Sequence, residues 1–179
     1  MAQSAVTTYI TQLQQLAIPR WADLPAFPVY AEQAADIVNK AFAPFGFAAV
    51  TTSDINYWVK QKVVTEASKK KFDQKGIAAI MAIAFFSEVY PLSDIHAGVT
   101  LLSKPAEAAR IYDFFVLTTL NNVHRYATNF QQDILIPGQT EGQIVAMSAP
   151  IIQIAVLSVI QKAIVHHALV AEPVAKEGK

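Results

Sequence analysis

Lys60, Lys62, Lys69, Lys70, Lys71 and Lys75 crowd one stretch of this 179-residue chain, opposed there only by Glu66 and Asp73. The whole chain has a formal charge of zero, so that stretch carries +4 and the remainder −4. Clustered ammonium groups neutralise phosphates and release their counterions, which is the electrostatic part of nucleic-acid binding. Taken alone, the charge run is better explained by a solvated surface loop, since such runs are usually just wet surface. The residues just before it narrow the chemistry. Asn and Gln amides pair with adenine edges, Lys reaches guanine or phosphate, and hydroxyls serve several partners. Two contact sets are therefore predicted. Thr52, Ser53, Asn56, Tyr57, Lys60, Gln61 and Lys62 would face bases and nearby phosphates, while Lys69, Lys70 and Lys71 would meet the sugar-phosphate backbone.

Other chemistries find little material. The chain has no cysteine, which excludes disulfides and thiolate metal sites. His166 and His167 are neighbours and point about 100° apart on a helix, while His96 and His124 have no acidic or histidine partner three or four residues on. No metal site is expected. There is no phosphate-binding glycine loop, dinucleotide fingerprint, nucleophile elbow or H-E-x-x-H, and the acids are scattered singly. The expectation is a protein that is not an enzyme and holds no cofactor.

The elements that must position the lysines and the polar run follow from periodicity. Val6 to Leu16 reads as a short amphipathic helix, and Pro19, Pro25 and Pro28 make Ile18 to Pro28 an extended connector whose Trp21, Leu24 and Phe27 pack on the body. Val29 to Phe42 is a helix with Ala34, Ile37, Val38, Ala41 and Phe42 on one face, ended by Pro44 and Gly46. Thr51 or Thr52 supplies a cap for a short helix over Ser53 to Lys62, with Ile55, Trp58 and Val59 inward. Val63 to Phe72 lacks a helical period and suits two extended arms joined by a basic tip. Gly76 to Tyr90 is apolar on all sides, as in a buried helix, and Ser93 to Leu102 forms another short one.

Beyond Pro105 a long helix runs to about Phe130, then a polar loop from Gln131 to Gly142, then a last helix from Gln143 to Leu169. Within it, Ile144 to Ile160 carries no charge and approaches the length of a membrane span. Gln153, Ser148, Ser158 and Pro150 interrupt it, which favours a central bundle helix or one shared between two subunits, and no membrane. More than half of the residues are apolar, so a sizeable core is expected. Met1 to Gln15 lack both a basic start and an apolar signal core, which points to the cytoplasm.

Helix, turn, helix, basic arm, apolar helix and short helix follow one another from Val29 to Leu102. In DNA-binding modules of this order the second helix enters the major groove and a wing adds phosphate contacts. Thr52–Val64, Lys69–Phe72 and Ser93–Ile95 resemble the MerR winged helix-turn-helix, with Lys71–Phe72 where that family has a basic-aromatic step. More narrowly, Leu24–Gln33, Ile55–Lys60 and Lys69–Phe72 resemble a bacterial family known only as a domain of unknown function, related to the MerR regulators. The chain departs from MerR proper in a wing lacking arginine and glycine, in a longer turn over Pro44 to Val50, and in two apolar C-terminal helices instead of a coiled coil.

The resemblance implies a mainly α fold in which a MerR-like winged helix-turn-helix over 29–102 is preceded by a helix and connector over 1–28. Two long helices over 103–170 follow, serving dimerisation or an effector, and residues 171–179 form a flexible tail. It also implies a transcriptional regulator of double-stranded DNA, without naming an operator or an inducer; the expectation is that it acts as a homodimer, with an unknown small-molecule effector as a further partner to be considered. The alternative is a non-enzymatic small-ligand or protein-interaction module with a degenerate helix-turn-helix, Phe114, Phe115, Tyr126 and Phe130 lining its pocket.

Overall fold

Helical periodicity dominates the chain, and helices make up most of the fold of this computed structural model, which describes residues 2–102, 107–128, 152 and 155–164. They are α1 (Ala2–Leu13), α2 (Ala31–Phe42), α3 (Thr52–Lys60), α4 (Gln74–Phe86), α5 (Leu92–Leu102), α6 (Ala108–Thr128) and α7, over residues 155–164. Two short strands, β1 (Val29–Tyr30) and β2 (Lys71–Phe72), pair antiparallel, with Val29 opposite Phe72 and Tyr30 opposite Lys71.

The core is built around α4, whose sequence has no wet face. Ile77, Ile80, Met81, Ile83 and Phe85 are fully buried, and the helix packs between α2 and α6. Each such side chain contributes about 1.5–3 kcal/mol of apolar transfer. Asp73 caps the helix by accepting from the Gly76 amide at 2.9 Å. Gly76 permits a close approach there, since a Cβ would lie 3.1 Å from Phe72 Cβ and 3.2 Å from Thr65 O. Phe85 meets Phe42 at the end of α2, Phe45 and Phe47 from the segment between α2 and α3, and Phe115 from α6, with ring centroids 5.2–6.1 Å apart. Those tilted and edge-on pairs add directional preference to simple burial.

The N-terminal helix and the connector fasten this core from outside. On α1, Ile10 and Leu13 are buried and Tyr9 Oη donates to Phe45 O at 3.1 Å, while burial raises the Tyr9 phenol well above its ordinary range. In the connector, Asp113 on α6 accepts from Arg20 Nη2 at 2.9 Å and from the Trp21 amide at 2.7 Å. Tyr112 Oη donates to Pro19 O at 2.8 Å, and Gln74 Nε2 donates to both Trp21 O and Leu24 O at 3.3 Å. The connector is thus strapped across α6 and α4. On α7, Val156, Val159 and Ile160 are fully buried, Ser158 Oγ lies 2.8 Å from Tyr90 Oη, and Lys162 Nζ bonds Glu88.

Several expectations are corrected at their edges. The helix expected from Val29 begins at Ala31, because Val29 and Tyr30 are drawn into the strand pair. The apolar helix runs from Gln74 to Phe86 rather than Gly76 to Tyr90, starting early because Asp73 caps it. Phe27 does not pack on the body; it is 69% exposed, whereas Leu24 is buried and Trp21 half-buried. The polar loop Gln131 to Gly142, the start of the last helix at Gln143, Tyr126 as a pocket wall, Phe130, His166, His167 and the tail lie outside the described residues or side chains. No helix among the described residues is long and apolar enough to cross a membrane.

Candidate nucleic-acid interface

The polar run sits on α3, a nine-residue helix fixed at both ends by its own sequence. At the start, Thr51 and Asp54 form a reciprocal capping box. Thr51 Oγ1 accepts from the Asp54 amide at 3.2 Å, and Asp54 Oδ2 accepts from the Thr51 amide at 2.8 Å and from its hydroxyl at 2.7 Å. Those donations from the Thr51 hydroxyl and amide hold the Asp54 carboxyl below the usual carboxylate range. At the end, the Lys62 amide donates to Val59 O at 2.9 Å and the Val63 amide to Trp58 O at 3.0 Å. This is a Schellman closure, and Lys62 occupies its left-handed position with φ 61°, where glycine is usual.

Between those ends the helix divides cleanly. Ile55 and Trp58 are buried in the core, and Val59 is half-buried. Thr52, Ser53, Asn56, Tyr57, Lys60, Gln61 and Lys62 are all exposed, with Tyr57 showing 53% of its surface. Spacings of three and four residues set Ser53, Asn56, Tyr57 and Lys60 on one outward face.

The turn before α3 is built from a short 3-10 segment, Ala43–Phe45, then Gly46 in the left-handed region at φ 71°. Asn39 on α2 closes it, its side chain bonding both the amide and the carbonyl of Val50. After α3, the chain returns through Val63 and Val64, both buried, to a tight reversal. The Ala67 amide donates to Lys71 O and the Lys71 amide to Ser68 O, both at 2.9 Å, so Lys69 and Lys70 stand at its tip. Lys70 takes φ 57°, and its amide donates to Glu66 Oε2 at 3.1 Å. Of the two extended arms expected here only Lys71–Phe72 is a strand, and its ladder partner is β1; within the segment itself the pairing is the single bridge between Ser68 and Lys71 below the basic tip.

Lys71 differs from its neighbours. It lies half-buried on β2, with its ammonium 4.7 Å from the centre of the Tyr30 ring across the strand pair. The ring faces a cation whose stem is held by the ladder, an attraction worth about 0.5–1 kcal/mol at an exposed site. Among the described residues none of the six lysines between 60 and 75 forms an ion pair.

Sequence reasoning missed Asn39, Glu66 and Tyr30, the three side chains that hold the turn, the basic tip and Lys71. Asn39 and Tyr30 act across gaps that no local pattern encodes, whereas the Glu66–Lys70 spacing of four was legible but reads as an ordinary surface pair. Among the described residues no group of three or more His, Cys, Asp or Glu is placed to hold a metal ion. His96 and His124 are exposed on α5 and α6.

A family model described as a domain of unknown function, DUF1836, matches residues 19–115, from the connector strap to the middle of the first turns of α6. No curated protein and no solved structure matches the chain.

Proposed function

The chain belongs to the DUF1836 family, a domain of unknown function, and we propose that it is a cytoplasmic DNA-binding transcriptional regulator built on a MerR-like winged helix-turn-helix. The observation that carries this reading is the unspent chemistry of residues 52–70. A rigidly capped helix offers Ser53, Asn56, Tyr57 and Lys60 outward, and a tight turn displays Lys69 and Lys70, whose ammonium groups form no ion pair among the described residues. In the proposed complex α3 lies in the major groove, with Asn56 and Gln61 on base edges and Lys60 on guanine or phosphate. Thr52 and Ser53 meet the flanking backbone, Lys62 continues the phosphate track past the end of the helix, and Lys69 and Lys70 grip the backbone beside it.

A homodimer is part of the proposal for a geometric reason. A reader of nine residues spans only a few base pairs, so useful selectivity needs two half-sites about one helical turn apart. Each subunit would neutralise roughly four to six phosphates, so affinity falls steeply with salt.

The test is fluorescence anisotropy with random and genomic duplexes at about 50 mM salt, followed by sequencing of the retained fragments. Retention with an enriched two-fold motif is expected. Binding no stronger than that of a neutral control protein overturns the reading, and a monomer by light scattering on the retained complex overturns the dimer.

A further inference from the structure

Between α4, α5, α6 and the start of α7 lies a cavity of about 910 Å³, within the size range of small-molecule sites. One wall is lean in side chains: Ala78, Ala79 and Ala82 of α4 line it, next to Gly76, which is packed against Phe72 and Thr65. Trp21, Phe86, Tyr112 and Phe115 supply aromatic walls, and Ile95, Val99 and Ile111 close it with aliphatic surface. The segment linking α3 to the basic turn also lines it, through Lys62, Thr65, Glu66 and Ala67, as do Asp73 and Lys75 at the head of α4.

Two of these residues break local rules. Lys62 sits in left-handed backbone, which a residue with a Cβ adopts at a cost of about 1–2 kcal/mol. Lys75 puts a cation in the first turn of α4, where the helix dipole favours an anion. Neither ammonium has a partner among the described residues. The carboxylates beside them are engaged instead with backbone, Glu66 accepting from the Lys70 amide and Asp73 from the Gly76 amide. Local conflicts of this kind are expected where a site is built.

We propose that this cavity binds an amphiphilic monocarboxylate, its apolar body in the aromatic and alanine chamber and its carboxylate at Lys62 and Lys75. The occupied cavity bears on the proposed DNA contacts, because Lys62 closes the turn just past α3 and Glu66 fixes the backbone of Lys70. Bound carboxylate withdraws Lys62 from phosphate and lowers DNA affinity. That regulatory effect rests on the DNA-binding reading, whereas ligand binding does not.

Calorimetry on the full chain with decanoate and with decan-1-ol separates the two. Decanoate should bind about tenfold tighter than the alcohol, and the K62Q/K75Q variant should lose that preference while keeping its affinity for decanol. Ala82→Leu should weaken both ligands without lowering the melting temperature, which marks a filled cavity rather than an unfolded chain. Absence of decanoate binding, or equal decanoate affinity in the wild type and K62Q/K75Q, overturns the proposal. DNA bound without decanoate binding removes the cavity site alone; decanoate bound without DNA binding removes the regulator alone. If both bind and decanoate leaves DNA affinity unchanged, the coupling is wrong and the site stands.

Discussion

Asn39 grips Val50 with both ends of its amide: Nδ2 donates to the Val50 carbonyl at 2.9 Å, and Oδ1 accepts from the Val50 amide at 2.8 Å. Val50 directly precedes Thr51, the cap of α3, so one side chain on α2 sets where the exposed helix begins. Asn39→Ala removes two partly buried bonds and leaves backbone groups unpaired, for a loss of about 2 kcal/mol in urea unfolding. DNA affinity should fall as well, although Asn39 itself is not assigned a DNA contact. An unchanged unfolding midpoint would show that the turn holds itself.

The exposed lysines and the exposed amide should fail differently. Lys69→Ala with Lys70→Ala should weaken binding to every duplex and lower the salt slope by about two. Asn56→Ala should instead change the preferred base at one position, with about 1–3 kcal/mol of discrimination lost. Competition anisotropy over a salt series reads both. If the lysine pair alters sequence preference, the assignment of the turn to phosphates is wrong.

Lys62 and Lys70 both adopt positive φ, and each is exposed. Replacing either with glycine should raise stability by about 1 kcal/mol, since the Cβ conflict disappears. In the same variants DNA affinity should drop, because each removes an ammonium. Thermal melts and anisotropy on one preparation test this pairing of gain and loss. A variant less stable than the wild type would mean that the lysine stems pack usefully.

Much of this architecture was legible beforehand, for physical reasons. Ile55 and Trp58 announced the inner face of α3, the Thr51–Thr52 pair its cap, which the structure puts at Thr51, and the unbroken apolar run its buried neighbour α4. Lys69 and Lys70 at the tip of a turn followed from a stretch without helical period, but the second extended arm did not form. What escaped were interactions between distant segments. Nothing near Val29 and Tyr30 says they will pair with Phe72 and Lys71, because cross-strand partners are chosen by tertiary closure rather than local propensity. Phe27 stands outside while Trp21 and Leu24 pack, because hydrophobicity alone does not determine which aromatic of a connector is left exposed. The Arg20–Asp113 strap spans 93 positions and leaves no local trace.

That strap predicts an acid sensitivity. The Arg20 guanidinium and then the Trp21 amide, both donating to Asp113, keep its carboxyl below the ordinary range despite partial burial. A depressed folded pKa stabilises the fold above the unfolded value of about 3.9, and the contribution disappears as pH falls through the folded value. Asp113→Asn should therefore be less stable than the wild type near neutrality, with the two converging in acid. Urea midpoints measured from about pH 7 to about pH 2 check this, and parallel curves would exclude it.

The pairing of Val29 with Phe72 and Tyr30 with Lys71 has a consequence for how such a chain can change. It brings the two ends of the segment from α2 through the basic turn to within one strand spacing, about 4.8 Å. Everything between them leaves and returns at nearly the same point, with α2 and Phe45 keeping their packing on α4 and α1. Its turn, reader face and tip can lengthen, shorten or be exchanged while α1, α4 and α6 stay where they are. A graft of residues 29–72 between matching strands of another member is the smallest exchange that carries a whole recognition surface.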